Sequence, residues 1–263
     1  MITSVTSIIG KNIIKLLRIH GEFAKFTIST FRFLFAPPIR IHETFYQMRF
    51  IGIKSLPIAN ITALFVGMVL VLQTGYQLNK FGAKLYVAGI SSIALAREMI
   101  PVFTAIVVGS RVGASITAEL GTMKVSEQID AMESLAVNPI KYLVVPRFIA
   151  SVLMLPVITI YADATGFLGG LVIGNTSLNI SVRMYINNTK ALLLRSDFFS
   201  GIMKTFVFGA IIALVGCYFG FKTEGGAEGV GKSTTVSVVV TIVLILIVNY
   251  ILSAWLLGLK AFM

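Results

Sequence analysis

Five ionisable side chains lie inside long apolar stretches of this 263-residue chain: Arg97, Glu98, Arg111, Asp163 and Lys204. At a bilayer centre such a group costs at least about 2.5–3.5 kcal/mol on insertion scales, so it normally faces a partner or a wet cavity. Two interpretations therefore remain open. The charges line a cavity for an amphipathic substrate, or they form structural ion pairs between helices, for example Glu98 with Lys204.

The neighbours of Arg97 and Glu98 add a geometric constraint. Adjacent residues are about 100° apart on a helix, so these two side chains are not expected to point at the same neighbour. Pro101 follows one turn later and can free a backbone carbonyl, because proline has no N–H to donate.

A second set of charges lies in the polar stretch of residues 109–147, where Glu127, Asp130 and Glu133 recur every third residue. Apolar residues between them predict an amphipathic helix from about residue 125 to 136, ended by Asn138-Pro139. The helix is too short and too charged to span a membrane. Its acidic face argues against resting on the negative cytoplasmic leaflet and favours docking into a groove on a separate protein.

Motifs for catalysis are weak in this chain. Residues 226–233 match the phosphate-loop pattern G-x-x-x-x-G-K-[ST], but a phosphate loop joins a buried strand to a soluble helix, and both flanking segments here are long and apolar. We interpret them as a flexible cytoplasmic loop, with Ser233, Thr234 and Thr235 capping the last span. Neither the two histidines nor Cys217 forms a metal-binding pattern. Because the remaining residues offer no Ser/His/Asp set and no paired-carboxylate centre, the chain is predicted not to be an enzyme.

The composition identifies the elements that must hold these charges. Apolar residues make up 56% of the chain and charged residues 13%, and the mean hydropathy is +0.90. These values are typical of an integral membrane protein. The fold class is therefore predicted to be all-α integral membrane. Helices need about 20 apolar residues to span, which predicts five spans, at residues 56–78, 85–117, 142–174, 199–221 and 236–259.

The distribution of Lys and Arg predicts the orientation. They are concentrated in residues 1–54, where helical spacing of basic and apolar residues predicts interfacial helices broken at Pro37-Pro38. The excess places the N-terminus, the polar stretch and the 222–232 loop in the cytoplasm, and five spans then place the C-terminus on the opposite side. The net charge of +11 is interpreted as membrane-associated, with no nucleic-acid partner.

The polar stretch resembles the MlaE/YrbE permeases, which are membrane subunits of phospholipid-transporting ABC systems. The resemblance rests on residues 109–119 (GSRVGASITAE), residues 123–132 (MKVSEQIDAM), Asn138-Pro139 and Pro146-Arg147. Supporting similarity includes Arg97-Glu98 followed by Pro101, residues 67–73 (GMVLVLQ) and residues 229–235 (GVGKSTT).

The resemblance implies a single permease domain, with an interfacial elbow region at 1–54, a five-span bundle at 55–263 and a cytoplasmic coupling helix at about 124–137. It implies a homodimer that moves phospholipids between the inner and outer membranes of a Gram-negative bacterium. A plastid envelope is the less favoured location. The implied partners are an ABC ATPase that binds ATP and Mg²⁺, a periplasmic MCE-domain lipid-binding protein and a small STAS-domain protein. The chain itself is expected to bind no cofactor.

The same resemblance assigns roles to individual residues. The substrate cavity would be lined by Arg97, Glu98, Lys204 and Asn249. Coupling to the ATPase would involve Glu119, Glu127, Asp130 and Glu133. In two places the chain departs from the family pattern: Met99-Ile100 replaces a Leu-Gly pair, and Asn249 stands where some members have aspartate.

Two alternatives from other functional classes remain. An ion-coupled secondary transporter would use Arg97, Glu98 and Lys204 without ATP. A membrane-embedded lipid-modifying enzyme would need a catalytic set that the sequence does not offer.

Overall fold

The computed structural model describes residues 2–37 and 40–261, with side chains described except those of residues 2–13, 15, 16, 19, 257 and 259–261. The described residues form α-helices and no strand. The α-helices are α1 (Ile2–Leu34), α2 (Ile41–Gly52), α3 (Leu56–Lys80), α4 (Val87–Ala94), α5 (Ile100–Val125), α6 (Gln128–Ser134), α7 (Val145–Thr176), α8 (Val182–Leu192), α9 (Arg195–Phe221) and α10 (Gly226–Ala261).

Five helical segments are long and apolar enough to cross a membrane: Ile41–Lys80, Lys84–Val125, Ile140–Thr176, Arg195–Phe221 and Gly226–Leu256. The predicted all-α membrane fold with five spans is therefore confirmed. The second segment is α4 and α5 joined by a π turn at Leu95–Met99, and the third begins with another π turn at Ile140–Val144.

Helix α5 lies at the centre of the bundle, between α9 and α10, while α7 packs against both α3 and α9. The hydroxyl of Thr117 on α5 lies 3.0 Å from the Gly216 carbonyl of α9 and 2.8 Å from the Ser237 hydroxyl of α10. The three helices are thus joined by hydrogen bonds as well as by apolar contact, as expected where lipid provides no hydrophobic drive for association.

Small residues allow two different kinds of close packing. Gly216 faces the backbone of α5 at Gly113, so these helices approach closely, as small residues allow in lipid. Gly170 and Gly174 instead leave room for the ring of Tyr185 from α8. The second pair therefore accommodates an aromatic side chain from a connecting helix.

The last span differs from the prediction. Helix α10 begins at Gly226, ten residues before the predicted start, and includes the phosphate-loop-like residues. Thr234 and Thr235 donate their hydroxyls to the carbonyls of Val230 and Gly231 inside the helix. The predicted flexible loop with a threonine cap is wrong, because the turn is made earlier, at Gly225 and Gly226, which both have positive φ.

Helix α1 packs against the end of α9 that lies near α6. The Phe23 and Phe26 rings lie 5.1 and 5.8 Å from the Tyr218 ring, and Glu22 pairs with Lys222. Beyond α1, Lys141 donates a hydrogen bond of 2.8 Å to the Pro37 carbonyl. The helical prediction for the N-terminal region is confirmed, although Pro38 of the predicted break lies outside the described residues.

Candidate functional site

The candidate site is built on the π turn that contains Arg97 and Glu98. Such turns are rare in helices and frequent at functional sites. Pro101 cannot donate to the carbonyl four residues before it, which is that of Arg97. Lys204 of α9 donates to this carbonyl at 3.1 Å. This contact agrees with the prediction that Pro101 leaves a backbone carbonyl without its helical N–H partner.

Glu98 joins the second, fourth and fifth spans. Its carboxylate accepts from Lys204 Nζ at 2.7 Å and from Asn249 Nδ2 at 3.2 Å. The Ser253 hydroxyl lies 3.0 Å from both carboxylate oxygens and 2.8 Å from Lys204 Nζ. The side chain of Lys204 is 2% exposed and that of Glu98 is 33% exposed. Glu98 and Lys204 therefore form the structural ion pair, and part of the Glu98 side chain remains exposed.

Arg97 also reaches α9, where its Nη1 lies 3.7 Å from Asp197 Oδ1. Asp197 is buried and accepts from the Leu194 backbone N–H at the start of α9. The expectation that Arg97 and Glu98 face different neighbours is thus wrong. The two side chains contact α9 about two turns apart, Arg97 at Asp197 and Glu98 at Lys204.

Gly201 lies between these two contacts on α9. A Cβ at Gly201 would collide with the Ala96 carbonyl and would also touch Pro101. The missing side chain lets α9 lie directly against the π turn. This close approach places Lys204 within reach of both the Glu98 carboxylate and the Arg97 carbonyl.

One groove borders this cluster of charges, and a second reaches the π turn at Met99. One has a volume of about 390 Å³ and is lined by Ile90, Ile93, Ala94, Arg97 and Glu98. The other, of about 410 Å³, lies between α3 and α5 and is lined by Phe65, Val66, Val69, Leu70, Gln73, Met99 and Phe103. Apolar walls with a few polar groups at one edge suit an amphipathic ligand.

Sequence reasoning missed Asp197 and Ser253. Ser253 lies one helical turn after Asn249 and therefore on the same face. Asp197 lies two turns before Lys204 on α9, which is also a same-face spacing. Both signals were available in the sequence, but neither indicates a partner until the packing of α9 and α10 against the π turn is known.

The acidic residues predicted to couple to an ATPase lie at the opposite end of α5. Helix α6 is shorter than the predicted helix of residues 125–136, because Glu127 and Ala136 both have left-handed backbone conformations and mark its ends. Glu127 is therefore outside α6, while Asp130 and Glu133 are on it. All three side chains are exposed, and Ile129 is buried against the bundle.

Of the acidic coupling residues, Asp130 has the closest basic neighbour, with Lys124 Nζ 2.5 Å from its Oδ1. Glu119 is placed differently, because it lies on α5 and contacts Arg147 of α7 at 2.8 Å. Arg147 is buried and also donates to the Leu143 carbonyl at 2.7 Å. Glu119 is also exposed, but it differs from the acidic residues at α6 because it lies on α5 and is paired with a buried arginine of α7.

A known protein family covers the elements that form this arrangement. A family model described as Permease MlaE matches residues 44–255, which include the π turn, α6 and the span that carries Asn249. The chain belongs to the MlaE permease family. The resemblance seen in the sequence is therefore confirmed.

Proteins similar to this MlaE permease are described as probable ABC transporter permeases. A probable ABC transporter permease protein of Rickettsia typhi is 39% identical over 253 residues, covering 96% of this chain and 98% of the relative. One of Synechocystis is 44% identical over 218 residues, covering 83% of this chain and 82% of the relative. The chain is thus a multi-pass ABC transporter permease, which implies an ATPase partner.

A plant relative extends the similarity beyond bacteria. The Arabidopsis thaliana protein TRIGALACTOSYLDIACYLGLYCEROL 1, chloroplastic, is 38% identical over 218 residues. These residues cover 82% of this chain and 62% of the plant protein.

Proposed function

We propose that this chain is the permease subunit of an ABC transporter that moves phospholipids between the inner and outer membranes of a Gram-negative bacterium. The observation that carries the cargo class is the groove lined by Ile90, Ile93 and the partly exposed Glu98, together with the apolar groove that reaches Met99 of the same π turn. Apolar walls can receive acyl chains, and a charged edge can receive a polar headgroup. The Arabidopsis relative is named for a galactosyl diacylglycerol, which supports a lipid cargo with two acyl chains but not a particular headgroup.

The proposed assembly is a homodimer with an ABC ATPase, a periplasmic MCE-domain protein and a STAS-domain protein. ATP and Mg²⁺ would bind to the ATPase, and the permease would bind no cofactor. The proposed orientation places the N-terminus and α6 in the cytoplasm and the C-terminus in the periplasm. The exposed acidic residues at α6 would contact the ATPase, while buried Ile129 and the short connection to α5 would transmit the movement. This coupling requires the ATPase states to bind the α6 region with different affinity.

An ion-coupled transporter is the alternative function that the charge cluster favours. Arg97, Glu98 and Lys204 would then bind an ion instead of a lipid headgroup. In the described structure Lys204 is fully engaged with protein groups. We therefore propose that ATP, and not an ion gradient, drives transport.

The experiment reconstitutes the complete complex, purified on a tag on this chain, into vesicles that contain a fluorescent phospholipid. We expect the ATPase to co-purify, and lipid movement to require ATP and to persist when ionophores collapse ion gradients. Movement that follows an ion gradient without ATP would instead establish the secondary-transport alternative.

A groove variant tests the cargo site itself. Val69 lines the groove between α3 and α5 and is 50% exposed, whereas Val239 on α10 is 55% exposed and lies outside both grooves. We expect Val69→Trp to reduce lipid movement at least about tenfold by filling the groove, and Val239→Trp to act as the matched control. Equal activity of the two variants would contradict this placement of the cargo.

A further inference from the structure

Asp163 is a buried ionisable residue that the cluster around Glu98 does not use. It lies on α7 within an apolar segment long enough to span a membrane, and it is 1% exposed. Neither carboxylate oxygen has a hydrogen-bond partner among the described residues. None of the ion pairs formed by described residues includes it.

The surroundings of Asp163 on α7 are small and apolar. Its neighbour Ala162 belongs to a buried apolar cluster with Ala63, Leu95 and Ile100. The hydroxyl of Thr159, one turn before Asp163, is donated to the Leu155 carbonyl. The Thr159 hydroxyl is therefore not available to donate a hydrogen bond to Asp163.

Charged groups on the helices that pack against α7 have other partners, are exposed, or contact α7 at a distance from Asp163 along the helix. Arg195 of α9 is exposed. The described pairs are Lys80 with Tyr76, Arg97 with Asp197, Lys204 with Glu98, Arg111 with Ser55, Glu119 with Arg147, Lys124 with Asp130, and Lys222 with Glu22. Helix α4 carries no ionisable residue. Those of α2 (His42, Glu43, Tyr46 and Arg49) precede Gly52, which contacts Met154 more than two turns before Asp163. On α8, Arg183 and Lys190 are not fully buried, and burial raises the pKa of Tyr185 to about 12, so its phenol is neutral.

An ionised carboxylate buried without a partner is so unfavourable that the group takes up a proton instead. We propose that Asp163 is a proton-binding site whose carboxyl group is protonated in this packed arrangement of the bundle. Ionisation requires a conformation that brings water or a cation to α7, so the proton stabilises the packed arrangement relative to a more open one. This inference is independent of the cargo.

Infrared spectroscopy of the intact protein tests this protonation state, because the chain has three aspartates, Asp130, Asp163 and Asp197. Asp130 faces Lys124, and Asp197 faces Arg97. Labelling all aspartates with ¹³C at the side-chain carboxyl should shift one protonated-carboxyl band at neutral pH. We expect this band in the wild type and in Asp130→Asn, and its loss in Asp163→Asn. A wild-type spectrum without a label-shifted protonated band at neutral pH would overturn the proposal.

Thermal unfolding at a series of pH values gives a second, independent readout. The packed bundle holds a proton that the unfolded chain releases, so wild-type stability should fall as the pH rises above the ordinary carboxyl range. Asp163→Asn mimics the protonated form and should remove this dependence. Equal slopes for the two proteins would overturn the proposal. If the variant does not accumulate, the wild-type infrared spectrum alone decides.

Discussion

Two charged regions at opposite ends of α5 are built in different ways. Around the π turn, Glu98 and Lys204 contact each other, and the same two side chains also bind Asn249, Ser253 and the Arg97 carbonyl. At α6, by contrast, Glu127, Asp130 and Glu133 are exposed on the surface. The first region uses its charges inside the protein, whereas the second presents them outward.

The difference follows from the cost of desolvation. A charge within an apolar span must be paired, so the π-turn cluster contributes to the cohesion of the second, fourth and fifth spans. A charge in water gains little from pairing. The acidic residues at α6 are therefore available to bind a partner. Substitutions in the π-turn cluster should mainly change stability, whereas substitutions at α6 should mainly change coupling to the ATPase.

The largest effect is expected at Lys204. The variant Lys204→Met leaves the Glu98 carboxylate partly buried without its cation, and should lower the free energy of unfolding by about 3–5 kcal/mol. The double variant Glu98→Gln with Lys204→Met should recover most of this loss, because no unpaired charge remains. Denaturant unfolding in detergent measures both, and a double variant as unstable as the single one would contradict the assignment.

Gly201 tests the packing that positions the cluster. The added Cβ of Gly201→Ala would collide with the Ala96 carbonyl, which should cost about 1–3 kcal/mol. Gly231→Ala is the matched control in α10, where nothing lies within 4 Å of the added carbon. The control should be neutral or up to about 1 kcal/mol more stable. Thermal unfolding of both variants checks the difference, and similar destabilisation of both would count against a specific collision.

A smaller effect is expected at α6. Asp130→Asn removes an exposed contact with Lys124, so the free energy of unfolding should change by at most about 1 kcal/mol. The same unfolding assay measures it. A loss comparable to that of Lys204→Met would mean that α6 has a structural role and would remove the contrast between the two regions.

The smallest effect concerns the contact between α1 and α9. The hydrogen bond from Lys222, and then that from Arg18, lowers the pKa of Glu22. Because the pKa of Glu22 is lower in the folded protein than in the unfolded chain, its contact with α9 stabilises the fold above the ordinary carboxyl range. This stabilisation is lost as the pH falls through the pKa of Glu22 in the folded protein. Hydrogen exchange in residues 20–30 should increase in acid, and Glu22→Gln should remove this pH dependence. Unchanged protection in the wild type would contradict it.

Much of this architecture was predictable because lipid constrains it strongly. Long apolar runs predicted all five spans, and the spacing of Glu127, Asp130 and Glu133 predicted an acidic helix near the correct place. The helix bounds were wrong because Glu127 adopts a left-handed conformation that side-chain periodicity does not reveal. The start of α10 was wrong because two glycines at 225 and 226 complete the turn early.

The candidate site was predictable only in part. The pairing of Glu98 with Lys204 was one of two open interpretations, since both charges needed partners. The contributions of Asp197 and Ser253 depend on how α9 and α10 pack against the π turn. That packing rests on Gly201 and Pro101, whose effects on distant contacts cannot be read from local sequence.

The central claim is that the acidic residues on α6 and at its start transmit the action of the ATPase, while the π-turn cluster holds the bundle together. The most direct test measures ATP hydrolysis and lipid movement together for the reconstituted complex carrying Glu127→Lys and Asp130→Lys. We expect normal thermal stability of the permease, with lipid movement reduced at least about tenfold and no longer dependent on ATP hydrolysis. Unchanged assembly, unchanged stimulation of the ATPase and unchanged lipid movement in this variant would contradict the claim.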